Sequence, residues 1–320
     1  IHYIGSYNGI EKELISQFGI PYHGISTGKL RRYFSVQNFT DPFRVIKGMG
    51  EARKLIKILE PDVIFSKGGF VSVPVVLAGK GQHVPVIIHE SDMTPGLANK
   101  ISIPSATKVC CNFPETLSSL PAGKAVLTGS PIRRELLQGD RLTGLNYTGL
   151  SAAKPIIMVI GGSLGAVAVN NAVRALLPKL LTKYQVIHIC GKGHLDDSLI
   201  GRPGYVQYEY VDAPLRHLFA AADLVVSRAG ANSICEILAL RKPNVLIPLS
   251  AAASRGDQIL NARSFEKQGF STVLEEEQVT SDTLYDAIEN TYENRRKFID
   301  AMEKSDLSDA VSIVMGLIAS

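Results

Sequence analysis

Several features that mark exported, membrane-spanning or metal-dependent proteins are missing from this chain of 320 residues. There is no signal peptide and no run of 18 apolar residues, so we expect neither an exported chain nor a membrane-spanning helix. There is no Asp-x-Asp motif that would hold a divalent cation, and no other metal-binding constellation is visible. We therefore expect a protein that works without a metal and without a cofactor.

Cysteine is also scarce, with four residues: Cys110, Cys111, Cys190 and Cys235. All four lie in apolar surroundings, and none forms Cys-x-x-Cys or has a histidine at ligand spacing. This pattern predicts buried free thiols in a reducing cytosol.

What the chain does have is a repeated strand, turn and helix. Residues 155–177 show the unit most clearly, with an unbroken β-branched run, a glycine-rich turn and helical apolar spacing. Further strands are predicted near 185–190, 205–208, 223–227, 244–247 and 272–274, and the first half alternates similarly. A single acidic helix is predicted at 282–304. The alternation predicts an α/β protein with parallel sheets, in two domains. The glycine-rich residues 136–154 are predicted to be a linker region.

The turn Gly161–Ala166 suits an anion, because glycines allow close approach and Ser163 adds a hydroxyl at a helix N-terminus. The spacing is not the dinucleotide Gly-x-Gly-x-x-Gly, which makes a nicotinamide dehydrogenase a poor interpretation. The alternative is a tight turn without a ligand.

A second such turn runs from Ser227 into the helix that contains Glu236. The N–H groups of Ala231, Asn232 and Ser233 suit a diphosphate, and Glu236 suits a ribose diol. The alternative for Glu236 is a solvated helix glutamate. Arg133 suits a phosphate, and the alternative is a surface arginine.

The unusual clusters all follow predicted strands: residues 66–70, 89–92, 128–133, 161–166 and 227–233. Ligands of open parallel sheets bind beyond the carboxyl ends of the strands. Two domains that face each other would bring these clusters around one central cleft. His89, at the end of its strand, is a weak candidate base; a buried, hydrogen-bonded histidine is the more common interpretation.

Taken together, the motifs in these clusters resemble the MurG family of UDP-N-acetylglucosamine:undecaprenyl-pyrophosphoryl-muramoylpentapeptide glucosaminyltransferases. The segments that carry the resemblance are Ser66–Ser72, His89–Asp92 with Pro95–Leu97, Gly129–Arg133, Gly161–Ala166 and Ser227–Glu236. The resemblance implies a GT-B fold, two Rossmann-like domains with parallel sheets that face a central cleft. It also implies inverting transfer of N-acetylglucosamine from UDP-N-acetylglucosamine to an undecaprenyl-linked muramoyl pentapeptide, without a metal, in peptidoglycan synthesis.

The resemblance also assigns roles to positions of this chain. Residues 1–132 would form an acceptor and membrane-associated domain and 133–306 the donor domain, and a helix at about 307–320 would pack back on the first. Substrate contacts would fall on Arg133, Ser163, Val211, Ala231, Asn232, Ser233, Glu236, Gln258 and Asp92. Asp92 and Asp257 occupy positions at which the family often has an amide side chain. Ala251–Ala253 has no polar side chain, which is unusual for a loop that borders the donor site.

The family has a strand and a glycine-rich loop ahead of the strand that matches Ile1–Gly5, and the sequence printed here has no counterpart. The favoured base of the family would lie there, upstream of Ile1, which leaves His89 as the weak candidate. Two alternatives follow: another lipid glycosyltransferase of the same fold, or a non-catalytic UDP-sugar-binding subunit.

The first half of the chain is basic. Residues 1–150 carry 17 Lys and Arg against 11 Asp and Glu, and residues 29–57 alone carry eight against two. A helix capped by Asp41 would turn a core face toward the sheet, formed by Val45, Ala52, Leu55, Ile56 and Leu59. It would place Phe43 and Ile46 on its basic side, with Phe39 just before it. Apolar residues amid positive charge predict contact with an anionic membrane surface rather than with nucleic acid. We therefore expect a peripheral protein of the cytoplasmic face of the bacterial cell membrane.

Overall fold

The computed structural model of the chain describes residues 1–28, 37–161, 167–251, 256–305 and 309–320, with only the backbone at 37–42. The chain divides into two compact units. Unit 1 comprises Ile1–Thr128 and Ser312–Ser320, and unit 2 comprises Gly129–Val311.

Unit 1 is built on parallel strands. Its strands are β1 (Tyr3–Ser6), β2 (Tyr22–Ile25), β3 (Ile64–Ser66), β4 (Val86–Glu90), β5 (Lys108–Cys111) and β6 (Ala125–Leu127). The helices between them are α1 (Glu11–Ser16), α2 (Gln37–Leu59), α3 (Ser72–Gly81) and α4 (Leu97–Ser102). Strands β1 and β2 form a parallel pair, and β3–β4–β5–β6 form a parallel sheet. All five residues of β4 are buried, as expected of a strand with helices on its faces.

Helix α2 shows both a correct and a wrong prediction. Its predicted core face is confirmed, because Ala52 and Ile56 are buried against Ile25 of β2. The predicted start at Asp41 is wrong, because the helix already begins at Gln37. A proline in the first turn is a common start signal but not an obligatory one.

Unit 2 is built on a single six-stranded sheet in the described residues. Its strands are β7 (Ile156–Ile160), β8 (Gln185–Ile189), β9 (Tyr205–Tyr208), β10 (Leu224–Ser227), β11 (Asn244–Leu246) and β12 (Thr272–Val273). Its helices are α5 (Arg141–Thr148), α6 (Val167–Lys183), α7 (Leu215–Ala221), α8 (Ala231–Ala239), α9 (Asp257–Lys267), α10 (Ser281–Glu293) and α11 (Arg295–Glu303).

The strand order in this sheet is β12–β11–β10–β7–β8–β9, with every described pair parallel. The direction of winding reverses between β7 and β10, which is where doubly wound sheets bind their ligands. Alternate residues of β7 serve two cores: Ile157 and Val159 face one, and Ile156 and Met158 face the other. This two-sided burial explains the unbroken apolar runs that predicted the strands.

The prediction of a linker at residues 136–154 is wrong. This region contains a 3₁₀ turn and helix α5, whose N-cap Asp140 accepts a hydrogen bond from the N–H of Thr143 at 2.7 Å. Glycine lets α5 approach α7 closely, since a Cβ at Gly144 would lie 2.2 Å from the carbonyl oxygen of His217. The glycines here permit helix packing, and do not mark a flexible connection.

The C-terminal region also differs in detail from the prediction. The single acidic helix expected at 282–304 is two helices, α10 and α11, which meet at Asn294. The last helix, α12 (Ala310–Ala319), places Val314 against Ile87 and Cys110 in a cluster of unit 1.

The four cysteines are buried thiols that form no disulfide, as predicted. Among the helices of the described ranges, none is long and apolar enough to cross a membrane. Across the same ranges, no group of three or more His, Cys, Asp and Glu side chains is arranged to hold a metal ion.

Candidate functional site

The clearest candidate site in unit 2 lies where β10 passes into α8. The strand is buried, and the turn that follows it is short, so α8 begins close to the carboxyl edge of the sheet. Gly230 is the N-cap and supplies no side-chain hydrogen bond, which leaves the first N–H groups of the helix, on Ala231, Asn232 and Ser233, for another acceptor. Such a terminus is suited to an anion.

Two predicted site residues meet at this helix. Nη2 of Arg133 lies 3.4 Å from Oε1 of Glu236, although the residues are 103 positions apart. The Glu236 side chain is only 19% exposed and that of Arg133 is 53% exposed. Burial raises the pKa of the Glu236 carboxyl, and the Arg133 guanidinium offsets part of this rise. Glu236 is therefore not the solvated helix glutamate of the alternative interpretation.

Gln258 lies at the next strand along the same edge. It belongs to the first turn of α9, and its Oε1 accepts the N–H of Leu249, just beyond β11, at 3.0 Å. The predicted contact residue is thus tied to the loop that leaves β11. Residues 252–255 of that loop, and with them Ala252 and Ala253, lie outside the described residues.

Two residues beside Gln258 were missed by sequence reasoning. The Arg228 guanidinium, after β10, contacts the Glu276 carboxylate, and both side chains are largely buried. Arg228 also donates to the carbonyl oxygens of Ile247 and Pro248, and Glu276 accepts the N–H of Ser250. The two residues are 48 positions apart, so no local pattern pairs them.

Val211 and Ser163 complete the predicted donor contacts of unit 2. The Val211 side chain is buried in the core, so only its backbone is available to a ligand. Ser163 lies outside the described residues. Helix α6, which follows it, is fixed by Asn170, whose amide donates to the carbonyl of Cys190 and whose oxygen contacts His188 at 2.9 Å.

In unit 1, the loop after β4 is organised by a residue that sequence reasoning did not single out. The buried Glu90 carboxylate accepts the N–H groups of Asp92 and Gly96 at 3.0 Å and the side-chain amide of Asn99 at 2.8 Å. A carboxylate with three donors is well suited to hold a loop. Asp92 therefore lies on a firmly shaped loop, in a different unit from the other described contact residues.

His89 immediately precedes this loop and is fully buried. Its Nδ1 lies 3.1 Å from Nζ of Lys67, which is also 3.2 Å from the Ser91 hydroxyl. The more common interpretation, a buried and hydrogen-bonded histidine, is the one observed. Its burial argues against a direct role as the base, since a base must reach the hydroxyl that it deprotonates.

Of the predicted membrane residues, Phe43 is 74% exposed and Ile46 is 62% exposed on α2. The side chain of Phe39 lies outside the described residues. Lys47 shares this part of the helix, with its side chain 70% exposed.

Comparison with known proteins adds to this geometry. Residues 1–111 match the N-terminal domain of glycosyltransferase family 28, and residues 156–315 match its C-terminal domain. A crystal structure of Acinetobacter baumannii MurG superposes with a TM-score of 0.76 at 24% identity, covering 99% of this chain and 90% of that one. That likeness establishes the GT-B fold that the sequence predicted.

Two curated relatives carry the name UDP-N-acetylglucosamine--N-acetylmuramyl-(pentapeptide) pyrophosphoryl-undecaprenol N-acetylglucosamine transferase. The protein from Lachnoclostridium phytofermentans is 63% identical over 318 residues, and that from Lachnospira eligens is 62% identical over 318 residues. Each alignment covers 99% of this chain and 90% of the relative. The chain therefore belongs to the MurG family, within glycosyltransferase family 28.

Proposed function

We propose that this protein transfers N-acetylglucosamine from UDP-N-acetylglucosamine to N-acetylmuramyl-(pentapeptide) pyrophosphoryl-undecaprenol, the step that converts lipid I to lipid II. The observation that carries the proposal is the partly buried Glu236 beside Arg133 at the uncapped start of α8. It is supported by relatives with 62% and 63% identity whose names state this reaction.

The donor is proposed to lie along the carboxyl edge of the unit 2 sheet. The backbone near Val211, after β9, would meet the uracil, and Glu236 would accept both hydroxyls of the ribose. The strand order then leads past β10 to β11, where Gln258 would meet the sugar. An extended nucleotide sugar laid across β9, β8, β7, β10 and β11 would meet these residues in its own chemical order.

The charge that develops on the departing UDP is proposed to be stabilised by protein groups instead of a metal. The N–H groups of Ala231, Asn232 and Ser233 point out of the start of α8, and Arg133 adds a full positive charge beside them. Groups held in place before the reaction stabilise a developing charge without reorganisation. Ser163, which follows β7 in the sequence, is proposed to add a hydroxyl to the same diphosphate.

Unit 1 is proposed to hold the acceptor and to meet the membrane. Glu90 shapes the loop that presents Asp92, and this loop follows the central part of the unit 1 sheet. Phe43 and Ile46 expose apolar surface on a helix with basic neighbours, which suits an anionic bilayer. The protein would then work as a peripheral enzyme at the cytoplasmic face of the bacterial cell membrane.

The test is a transfer assay with labelled UDP-N-acetylglucosamine and a lipid-linked muramoyl pentapeptide, run with EDTA and with Mg²⁺. We expect equal formation of lipid-linked disaccharide under both conditions. Transfer only to a diacylglycerol acceptor would point to a different lipid glycosyltransferase. Donor binding without transfer to any acceptor would point to a UDP-sugar-binding subunit.

A further inference from the structure

The loop that leaves β11 is fixed by an unusual set of side chains. Beyond the strand, four consecutive residues, 247–250, each have a backbone group bound by a side chain from another element. Arg228 donates to the carbonyl oxygens of Ile247 at 3.2 Å and Pro248 at 3.3 Å. Gln258 accepts the N–H of Leu249, and Glu276 accepts that of Ser250, each at 3.0 Å.

Arg228 and Glu276 are also an ion pair, with side chains 11% and 17% exposed. Burial alone would raise the pKa of Glu276, but the Arg228 guanidinium and the Ser250 N–H hold it below its usual value. The carboxylate is thus ionised while it bridges the guanidinium and the loop. Arg228 in turn is part of the turn that leads from β10 into α8, so one pair connects two neighbouring loops.

A buried ion pair is a poor way to gain stability, because desolvation of both charges consumes most of their attraction. Apolar side chains of similar volume would pack this position as well. They would not, however, bind two carbonyl oxygens and an N–H group of a loop. The pair is therefore better explained by the loop geometry that it imposes.

That geometry determines how Gln258 is presented. Its Oε1 is held by the N–H of Leu249, which lies between the residues bound by Arg228 and Glu276. The α9 helix is also tied to the turn between β10 and α8, since the Asn261 amide donates to the carbonyl of Ala229 at 3.3 Å. With Oε1 engaged, the Gln258 side chain can offer a ligand its amide N–H groups.

We propose that Arg228 and Glu276 are positioning residues that orient Gln258 toward the sugar of the donor. This inference rests on the proposed function, because it takes the ligand to be a UDP-sugar. It assigns the pair to recognition of the sugar and not of the UDP portion. Neither residue needs to touch the donor.

The experiment compares binding of UDP and of UDP-N-acetylglucosamine to the full chain by titration calorimetry. Glu276→Gln keeps an acceptor for Ser250 but breaks the ion pair. We expect this variant to bind UDP-N-acetylglucosamine about tenfold more weakly, as for one lost side-chain hydrogen bond, and to bind UDP less than about twofold more weakly. Glu275→Gln is the matched control: Glu275 pairs at 2.5 Å with Arg263, whose side chain is 48% exposed, and we expect wild-type affinities.

A second variant tests whether a loss of affinity merely reflects unfolding of the protein. Arg228→Met with Glu276→Leu removes both charges together, so that no buried charge is left unpaired. We expect it to melt near the wild-type temperature and still lose affinity selectively for the nucleotide sugar. Equal losses for UDP and UDP-N-acetylglucosamine, or no loss for either, would overturn the positioning role. A wild-type chain that binds neither ligand would instead overturn the proposed function on which it rests.

Discussion

Replacing Glu236 with alanine tests the proposed ribose contact most directly. A buried carboxylate that accepts two hydroxyls makes two charge-assisted hydrogen bonds, each worth about 1.5–3 kcal/mol. Water entering the truncated site recovers part of this, leaving roughly 2–4 kcal/mol. The ion pair between Glu236 and Arg133 in the free protein opposes this loss of binding energy. Because the Arg133 side chain is half exposed, the pair is worth at most about 1 kcal/mol.

The net expectation is a loss of roughly 1–3 kcal/mol in donor binding, or about 5- to 150-fold in Kd, because every 1.4 kcal/mol is about tenfold. Since the ribose is bound alike before and during transfer, KM for the donor should rise with little change in kcat. The melting temperature should not fall, because burial already disfavours the ionised carboxyl of Glu236.

The assay is a thermodynamic cycle with UDP and 2′-deoxy-UDP, each titrated into wild type and Glu236→Ala. We expect the wild type to prefer UDP and the variant to lose most of that preference. Glu266→Ala is the control, since Glu266 also pairs with an arginine, Arg263, but on the surface of α9. If Glu236→Ala weakens the binding of UDP and of 2′-deoxy-UDP equally, the carboxylate does not contact the 2′-hydroxyl, and the ribose assignment is wrong.

Three further predictions concern stability and the membrane. Gly144→Ala should destabilise unit 2 by about 1–3 kcal/mol, seen as a lower melting temperature, because its Cβ would lie 2.2 Å from the carbonyl of His217. Burial lowers the pKa of Lys242 to about 8, so above that pH the unfolded state binds more protons than the folded state. The free energy of unfolding should therefore rise with pH between 8 and 10, by up to about 1.4 kcal/mol per pH unit. Lys242→Met should remove this rise. Phe43→Ser with Ile46→Ser should release the protein from anionic vesicles in sedimentation, without lowering its melting temperature.

The chain offers matched controls for two of these. Gly50→Ala, in the middle of α2, meets open space and should stabilise by up to about 1 kcal/mol, opposite in sign to Gly144→Ala. Leu142→Ser with Ile200→Ser removes comparably exposed apolar side chains from unit 2 and should leave vesicle binding unchanged. If both double variants sediment as the wild type does, the membrane contact does not involve Phe43 and Ile46. For Lys242→Met, a slope identical to the wild type would show that Lys242 does not titrate in this range.

The central strands of the unit 2 sheet could be predicted because they are buried on two faces. β7 and β10 are short apolar runs, and such runs are typical of strands in a parallel sheet that is covered on both sides. The small-residue turn after β10 could also be located, because it follows such a run directly. This is why the start of α8 was predicted as a candidate site from local sequence alone.

Helix α5 could not be predicted in the same way, because its stability comes from residues far along the chain. Gly144 is unfavourable in an isolated helix, and only the closeness of α7 makes the missing side chain an advantage. The Arg141 guanidinium then binds both carboxylate oxygens of Asp223 at 3.1 Å, 82 residues away. A glycine-rich composition does not show whether the glycines permit flexibility or close packing of helices. Only the element that packs against them distinguishes the two cases.

The same limit applies to the charges of the candidate site. Arg133, Glu236, Arg228 and Glu276 were all visible in the sequence, yet only the first two could be assigned a ligand contact from it. Arg228 looks like one more basic residue, and Glu276 lies in the acidic run 275–277. Within that run the structure gives neighbouring glutamates different roles: Glu275 contacts an exposed arginine, and Glu276 pairs with a largely buried arginine and binds the N–H of Ser250 in a loop. The two glutamates are similarly exposed, at 22% and 17%, so it is the partner that separates them: Arg263 is 48% exposed and Arg228 is 11% exposed. Which arginine each glutamate meets depends on how the 3₁₀ turn after β12 packs against the loop after β11. Ligand-contacting residues can therefore be sought at strand ends, whereas the residues that hold them in place have to be found through their contacts.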